Sequence, residues 1–106
     1  MQKNLKTIRG DTFAFAIEIE GLEQDLDTCY FSCKKNIDDE EYTFQKSLDN
    51  GIEKIETGKY RIRVAPEDTK DKDTGIYYYD LQIGVNGDVH TVLRGQLTIE
   101  AEITEE

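Results

Sequence analysis

The sequence has little of several residue types that carry chemistry: no tryptophan, one proline, one histidine and two cysteines in 106 residues. It also has no run near the ~20 apolar residues of a membrane-spanning helix, and its first 20 residues lack the apolar core of a signal peptide. We therefore expect a soluble chain that is not exported by the general route. A chain this short has room for one core, which predicts a single domain over residues 1–106.

Positive charge is scarce as well. The 13 basic residues are outnumbered by 23 acidic ones, so the formal charge is −10. Binding to a nucleic-acid backbone depends on clustered lysine and arginine, and an anionic membrane surface attracts the same residues. The charge balance therefore predicts neither nucleic acid nor a membrane as a partner.

The two cysteines are expected to be free thiols. Cys29 and Cys33 lie in a segment rich in β-formers. On a strand their spacing corresponds to about 13 Å, whereas the Cα atoms of a disulfide lie about 4.4 to 6.8 Å apart. Free cysteines fit a reducing compartment. A zinc site would need two further soft ligands, and His90 is the only histidine, so we predict no metal and no cofactor.

Catalytic motifs are missing too. A Ser–His–acid arrangement would have to combine His90 with Ser32 or Ser47, and no Gly-x-Ser-x-Gly elbow is present. No glycine-rich phosphate loop occurs either. We predict that the chain is not an enzyme.

Two segments contain motifs with a functional alternative. Arg9-Gly10-Asp11 has the composition of an integrin ligand, but a turn ahead of a strand explains it better. Residues 66–74 hold three aspartates that could supply oxygens to calcium, but their spacing differs from an EF-hand and two lysines lie among them. We interpret residues 66–74 as a solvated polar loop, and we expect the end of the acidic tail 100–106 to fray.

Hydrophobic residues recur at every second position in four segments, which is the pattern of half-buried strands. Residues 28–35 and 42–48 are weaker strands of the same kind, and a short helical turn is expected only near residues 52–56. Six or seven strands in this length predict an all-β fold, an antiparallel sandwich. The predicted inward sets are Phe13, Phe15, Ile17 and Ile19; Tyr60, Ile62 and Val64; Tyr77, Tyr79, Leu81, Ile83 and Val85; and Val89, Thr91, Leu93, Leu97 and Ile99.

Turn residues refine this prediction. Asp49-Asn50-Gly51 is expected to close a hairpin as a three-residue loop with its glycine in the left-handed region. Asn86-Gly87 suggests a two-residue turn, but that length would set the apolar face of one strand against the polar face of the next. We therefore predict a three-residue loop, either residues 85–87 or residues 86–88. With the second, Leu81 pairs with Leu93, and Asp80 lies opposite Arg94, which predicts a cross-strand contact between these two charged residues.

Residues 73–79, Asp-Thr-Gly-Ile-Tyr-Tyr-Tyr, resemble the Asp-x-Gly-x-Tyr-x-Cys tyrosine corner of immunoglobulin domains. The corner predicts that Tyr77 buries its ring and sends its hydroxyl back to the backbone near Asp73. Tyr79 stands where the pattern has cysteine, and the chain has no tryptophan. The resemblance implies an immunoglobulin-like sandwich of about seven strands that is held together by packing alone.

A wider resemblance covers nearly the whole chain. Its segments are Arg9-Gly10-Asp11-Thr12-Phe13, Pro66-Glu67-Asp68-Thr69, residues 75–82 and residues 91–99. In order and spacing they resemble small immunoglobulin-like domains of tailed-phage and prophage structural proteins, including the N-terminal domains of baseplate upper proteins. The resemblance implies a noncatalytic virion subunit of the tail, baseplate or head–tail region. Such a subunit forms homo-oligomers, binds other virion proteins, and is made in the bacterial cytoplasm before assembly into the virion.

Alternation also predicts where partners bind. Ile76 and Tyr78 should project outward from the strand at residues 75–85, and with Val92 they are our predicted interface residues. A second layer covered by the chain's own loops is the alternative account of these side chains. A second hypothesis for the whole protein is an extracellular adhesion or carbohydrate-binding module that uses the loop around residues 67–73, with or without calcium.

Overall fold

A computed structural model describes residues 2–104. Within them the chain forms eight strands, one more than the seven expected, and one helical turn. They are β1 Leu5–Ile8, β2 Phe13–Glu18, β3 Thr28–Lys34, β4 Phe44–Leu48, β5 Gly51–Glu56, β6 Lys59–Val64, α1 Pro66–Thr69, β7 Gly75–Val85 and β8 Asp88–Glu100. Glu105 and Glu106, in the tail predicted to fray, lie outside the described residues. No helix among residues 2–104 is long and apolar enough to span a membrane.

The strands form one continuous ladder in the order β1-β8-β7-β3-β4-β5-β6-β2. The ladder folds over between β4 and β5, which share only two residue pairs. A five-stranded layer, β1-β8-β7-β3-β4, therefore packs against a three-stranded layer, β5-β6-β2. The pairing of β2 with β6 and β5, and of β3 with β7 and β8, is the strand order of an immunoglobulin-like β-sandwich.

Alternate side chains fill the space between the layers, as the sequence pattern predicts. The inward residues of β6 are buried, and Arg61 and Arg63, which alternate with them, are exposed. The inward residues of β7 are buried as well, except Val85 at its end, which is half-buried. The inward row of β2 is half-buried. Val89 departs from the prediction, because its side chain is 61% exposed.

The hairpin between β7 and β8 explains that departure. Its loop is the two-residue turn Asn86-Gly87, both at positive φ (54° and 83°), so the predicted three-residue loop is wrong. The ladder shifts register after Leu81, and Val92 is the extra residue on β8. A three-residue loop was expected to bring the apolar faces of β7 and β8 together. The bulge has that effect instead, because one inserted residue moves the following side chains to the other face of the strand. The predicted pairs Leu81–Leu93 and Asp80–Arg94 are therefore present.

Beyond the bulge, the residues of β8 lie on the opposite face from the one predicted. Val89 pairs with Gly84, and His90 pairs with Ile83, whose side chain faces the core. Val92 itself is half-buried and packs against the core cluster. It is therefore not the outward interface residue that simple alternation predicts.

Two local predictions about turns are wrong. Residues 52–56 belong to β5 rather than to a helical turn, and Ile52 is 1% exposed. The helical turn is α1, inside the predicted polar loop, where Pro66 occupies the first turn and the Asp68 carboxylate accepts the Ala65 N–H at 2.7 Å. Asp49-Asn50-Gly51 has its glycine at φ 97°, as predicted, but it carries the chain across to the other layer instead of closing an antiparallel hairpin.

Aromatic rings fill the centre of the sandwich. Phe31 of β3 has no exposed surface. Its ring centroid lies 5.5 Å from that of Phe15 in the opposite layer, 5.3 Å from that of Tyr79 and 5.9 Å from that of Phe44. Antibody domains place a tryptophan against an inter-sheet disulfide at this level of the fold, so here ring packing replaces the covalent bridge.

The tyrosine corner closes one end of β7. The Tyr77 hydroxyl donates to the Asp73 carbonyl at 2.6 Å, the contact that the sequence pattern predicts. The ring is 3% exposed, and the Lys35 ammonium lies 4.6 Å from its centroid. The Tyr79 hydroxyl donates to the carbonyl of Lys3, which fixes the segment before β1 against β7.

We expect Tyr77→Phe to lower the free energy of unfolding by about 1 kcal/mol, because it deletes one hydrogen bond and keeps the buried ring. Equilibrium urea unfolding measures the change. Tyr42→Phe removes a hydroxyl from a side chain that is 50% exposed and should change stability by less than about 0.5 kcal/mol. Equal stability of wild type and the Tyr77 variant would show that the corner hydrogen bond does not stabilise the fold.

Candidate functional site

The outward side chains of the five-stranded layer form the candidate site. The register places Tyr30 beside Gln82, Ser32 beside Asp80, and Lys34 beside Tyr78. These rows continue onto β4 through Ser32–Gln45 and onto β8 through Tyr78–Gln96. We call this surface the tyrosine face; it comprises Tyr30, Ser32, Lys34, Gln45, Ile76, Tyr78, Asp80, Gln82, Thr91, Arg94 and Gln96, with Ile37 and Tyr42 from the β3–β4 loop.

Most of the tyrosine face lines a shallow depression of about 950 Å³. Two large hydrophobic side chains stand exposed at its rim: Ile37 is 65% exposed and Tyr42 50%. The Lys34 ammonium lies 5.3 Å from the Tyr42 ring centroid, a cation–π contact that links β3 to the β3–β4 loop. Inside the depression the Gln45 amide donates to the Ser32 hydroxyl at 3.0 Å. The open shape and the mixed polarity of the depression suit contact with another protein better than binding of a small, enclosed ligand.

The predicted interface residues are distributed unevenly over this surface. Ile76, 48% exposed, and Tyr78, half-buried, project from β7 as alternation predicts. Val92 lies outside the face because it packs against the core. The sequence does not predict Ile37 on this surface, since the β3–β4 loop carries no periodic signal to orient its side chain. Tyr42 belongs to the predicted weak strand 42–48 and is one of the aromatic residues for which alternation allows an outward position, but the structure places it in the loop before β4.

The tyrosine face differs in charge from the rest of the chain. Asp80 is its one acidic residue, and Lys34 and Arg94 are basic, although the chain as a whole carries −10. Asp80 and Arg94 lie directly opposite each other, yet none of the four ion pairs within residues 2–104 joins them. Acidic residues are concentrated in the loops, among them residues 38–41 between Ile37 and Tyr42.

The Arg9-Gly10-Asp11 segment is bound to its own chain. The Arg9 guanidinium donates to the Glu102 carboxylate at 2.8 Å and to the Lys72 carbonyl at 3.1 Å. The Gly10 N–H donates to the Thr69 hydroxyl at 2.8 Å. These contacts join the β1–β2 corner, the α1 loop and the tail, so the segment has a structural role.

The aspartates of the α1 loop are engaged in a similar way. Asp68 accepts the Ala65 N–H and forms an ion pair with Lys46 at 2.6 Å, with only 17% of its side chain exposed. The Asp73 carbonyl receives the Tyr77 hydroxyl. Among residues 2–104, no group of three His, Cys, Asp or Glu side chains is arranged to hold a metal ion.

The nucleophile candidates do not form a catalytic arrangement. Burial raises the pKa of Cys29 to about 11 and that of Cys33 to about 12, so both remain protonated near neutral pH. His90 pairs with Ile83, on the inward side of the hairpin rather than on the predicted outer face. Ser32 and Ser47 lie in the outward rows of β3 and β4, so neither serine shares a face with the histidine.

Comparison with protein-family models and with curated proteins finds no match. Among solved structures, a protein from Bacteroides vulgatus provisionally classed as a glycoside hydrolase aligns with a TM-score of 0.55 at 14% identity, over 92% of this chain and 16% of that one. The present chain therefore corresponds to a small part of that protein. At this identity the likeness concerns the fold alone.

Two further structures are immunoglobulin-type domains. The second immunoglobulin domain of the mouse polymeric immunoglobulin receptor aligns with a TM-score of 0.49 at 8% identity, over 99% of this chain and 100% of that one. The extracellular domain of the voltage-gated sodium channel β4 subunit, described as a parallel homodimer with a role in cell–cell adhesion, aligns with a TM-score of 0.47 at 12% identity, over 96% and 93%. The strand order of this chain places it in the same broad class, the immunoglobulin-like β-sandwiches.

The Arg9–Glu102 ion pair predicts a pH dependence of stability. Hydrogen bonding to Arg9 holds the pKa of Glu102 below its usual value of 4.5. When a carboxylate has a lower pKa in the folded than in the unfolded state, its ionisation stabilises the folded protein at pH values above the unfolded-state pKa. This stabilisation is lost as the pH falls through the folded-state pKa. Urea unfolding of Glu102→Gln should therefore show a smaller loss of stability between about pH 6 and about pH 3 than wild type does.

The control for this prediction is Glu100→Gln, which neutralises an exposed carboxylate at the end of β8, two residues before Glu102. It should keep the wild-type pH dependence. If Glu102→Gln and wild type lose stability in parallel over the acid range, the ion pair does not contribute to folding.

Proposed function

We propose that this chain is a noncatalytic assembly domain, which binds neighbouring protein subunits through the tyrosine face and also forms oligomers with copies of itself. The observation that carries the proposal is the composition of that face: three tyrosines and one acidic residue on a chain of charge −10. Protein interfaces are enriched in tyrosine and depleted of aspartate and glutamate relative to the remaining surface.

The architecture supports this use of the surface. Tyr30 and Tyr78 project from β3 and β7, strands that are paired on both sides within the five-stranded layer. Such strands hold the rings in fixed positions, so little conformational entropy is lost on binding. The acidic residues elsewhere repel unassembled copies and favour solubility until a partner covers the face.

The setting we propose is a phage or prophage particle, in its tail, baseplate or head–tail region. Two of the segments that carry the resemblance to phage structural proteins, residues 75–82 and 91–99, belong to β7 and β8, which supply much of the tyrosine face. In this account the chain is made in the bacterial cytoplasm and becomes part of the virion. Its partners are the adjacent virion subunits.

The test is a binding measurement with a charge-matched pair of variants. Tyr78→Glu introduces a charge into the centre of the tyrosine face, and Ile55→Glu introduces the same charge at a residue on the three-stranded layer that is 49% exposed. We expect Tyr78→Glu to weaken binding to the structural proteins encoded beside this chain by at least about tenfold. Ile55→Glu should bind as wild type does, measured by isothermal titration calorimetry.

Two results would contradict the proposal. One is an equal effect of the two variants; the other is an absence of binding to any of those proteins. Titration with calcium and with oligosaccharides distinguishes the adhesion alternative, because a micromolar calcium site on the loop around residues 67–73 would favour an extracellular module over an assembly domain.

A further inference from the structure

A second surface lies on the other layer, at the free edge of β2. This strand ends the three-stranded layer: it pairs with β6 on one side, and no strand within residues 2–104 pairs with its other side. Natural edge strands are usually protected by proline, a bulge or an inward charge. Residues 13–17, Phe-Ala-Phe-Ala-Ile, have none of these, and their register with β6 is unbroken.

The hydrogen-bonding parity shows which backbone groups are available at that edge. The Ile19 N–H donates to the Gly58 carbonyl at 2.7 Å, in line with the β2–β6 register. In an antiparallel ladder the bonded residues alternate, so the N–H and C=O groups of Ala14, Ala16 and Glu18 point to the free edge. The two alanine side chains are small and exposed, which leaves the backbone accessible to another strand.

The inward side chains of β2 show that the layer is incompletely covered. Tyr60, Ile62 and Val64 on the neighbouring β6 are at most 1% exposed. The corresponding residues of β2, such as Phe15 and Ile17, are only half-buried although they pack against the same core. A strand added at the edge would cover them.

We infer that the occupant of this edge is β2 of a second copy, paired antiparallel with Ala16 opposite Ala16. Two copies then share one continuous six-stranded layer and about six new backbone hydrogen bonds. In this register Phe15 lies opposite Ile17 of the partner copy, so half-buried rings and aliphatic side chains cover one another.

Charge complementarity favours this register, and it favours a second copy of the chain as the occupant of the edge. With Ala16 at the two-fold axis, Glu18 lies opposite Ala14 of the partner copy, and Ala14 is paired with Arg63 on β6. Glu18 therefore reaches across a small side chain toward Arg63 of the partner copy, and the symmetry forms this pair twice. Arg63 is exposed and belongs to none of the four ion pairs within residues 2–104, whereas its neighbour Arg61 is paired with Glu53.

The experiment measures dimerisation of the full chain by sedimentation equilibrium from micromolar to millimolar concentration. Ala16→Lys places two ammonium groups at the two-fold axis and should abolish dimerisation. Thr57→Lys makes the same change of charge in the exposed β5–β6 turn and should leave dimerisation intact. Tyr78→Glu should also leave this dimer intact, which separates the edge from the tyrosine face.

A charge swap tests the register. Glu18→Lys and Arg63→Glu should each weaken the dimer by about tenfold, and the double variant should restore it, because it reverses both members of the pair. Hydrogen exchange gives an independent readout. The amides of Ala14 and Ala16 should become protected as concentration rises, while those of Phe15 and Ile17 should be protected throughout.

Three outcomes would overturn the inference: a monomer at all concentrations, a dimer that survives Ala16→Lys, or edge amides that exchange at the same rate in monomer and dimer. In the first case, protection of Ala14 and Ala16 that appears only with an extended peptide would show that the edge takes a different partner.

Discussion

The contact of the Phe31 ring with aromatic rings from both layers is the interaction on which the rest of the structure depends. Phe31 is fully buried on β3, with Phe15 reaching it from the three-stranded layer and Tyr79 from its own layer. Aromatic side chains bury a large area and add favourable edge-to-face contacts. Because no disulfide joins the layers, this packing keeps the outward rows in register and so fixes the tyrosine face.

Period-two alternation predicts most of this from the sequence. Wherever a segment is long and strictly alternating, as at residues 13–19 and 77–85, its inward residues face the core. The tyrosine corner is predictable too, because a hydroxyl returning to a backbone carbonyl is local chemistry. These signals place Ile76 and Tyr78 on the outside of the five-stranded layer with no knowledge of the partner strands.

The remaining features depend on interactions between segments. Alternation alone does not reveal the bulge at Val92. An extra residue in a strand changes which side chains face the partner strand in the same way as an extra residue in the loop does. The helical turn at Pro66 depends on Asp68 capping its own backbone and pairing with Lys46, a contact made only in the folded chain. Ile37 and Tyr42, at the rim of the depression, belong to a loop, whose side-chain directions follow no period.

Acidic residues are unevenly distributed between the loops and the outward face of the five-stranded layer. This face presents tyrosine and neutral polar groups around Asp80 and Arg94, while most acidic residues lie in the loops. The free edge of β2 adds a second surface of a different kind, one that offers backbone groups rather than side chains. The two proposed interfaces are compatible with each other, since each leaves the other surface accessible.

The most direct measurement compares two neighbours on β3 that face opposite ways. Equilibrium unfolding of Phe31→Ala should show a loss of about 3 to 5 kcal/mol, and Tyr30→Ala, from the tyrosine face, should lose less than about 1 kcal/mol. Similar losses for the two variants would contradict the assignment of an inner, fold-stabilising row and an outer row that is free to bind.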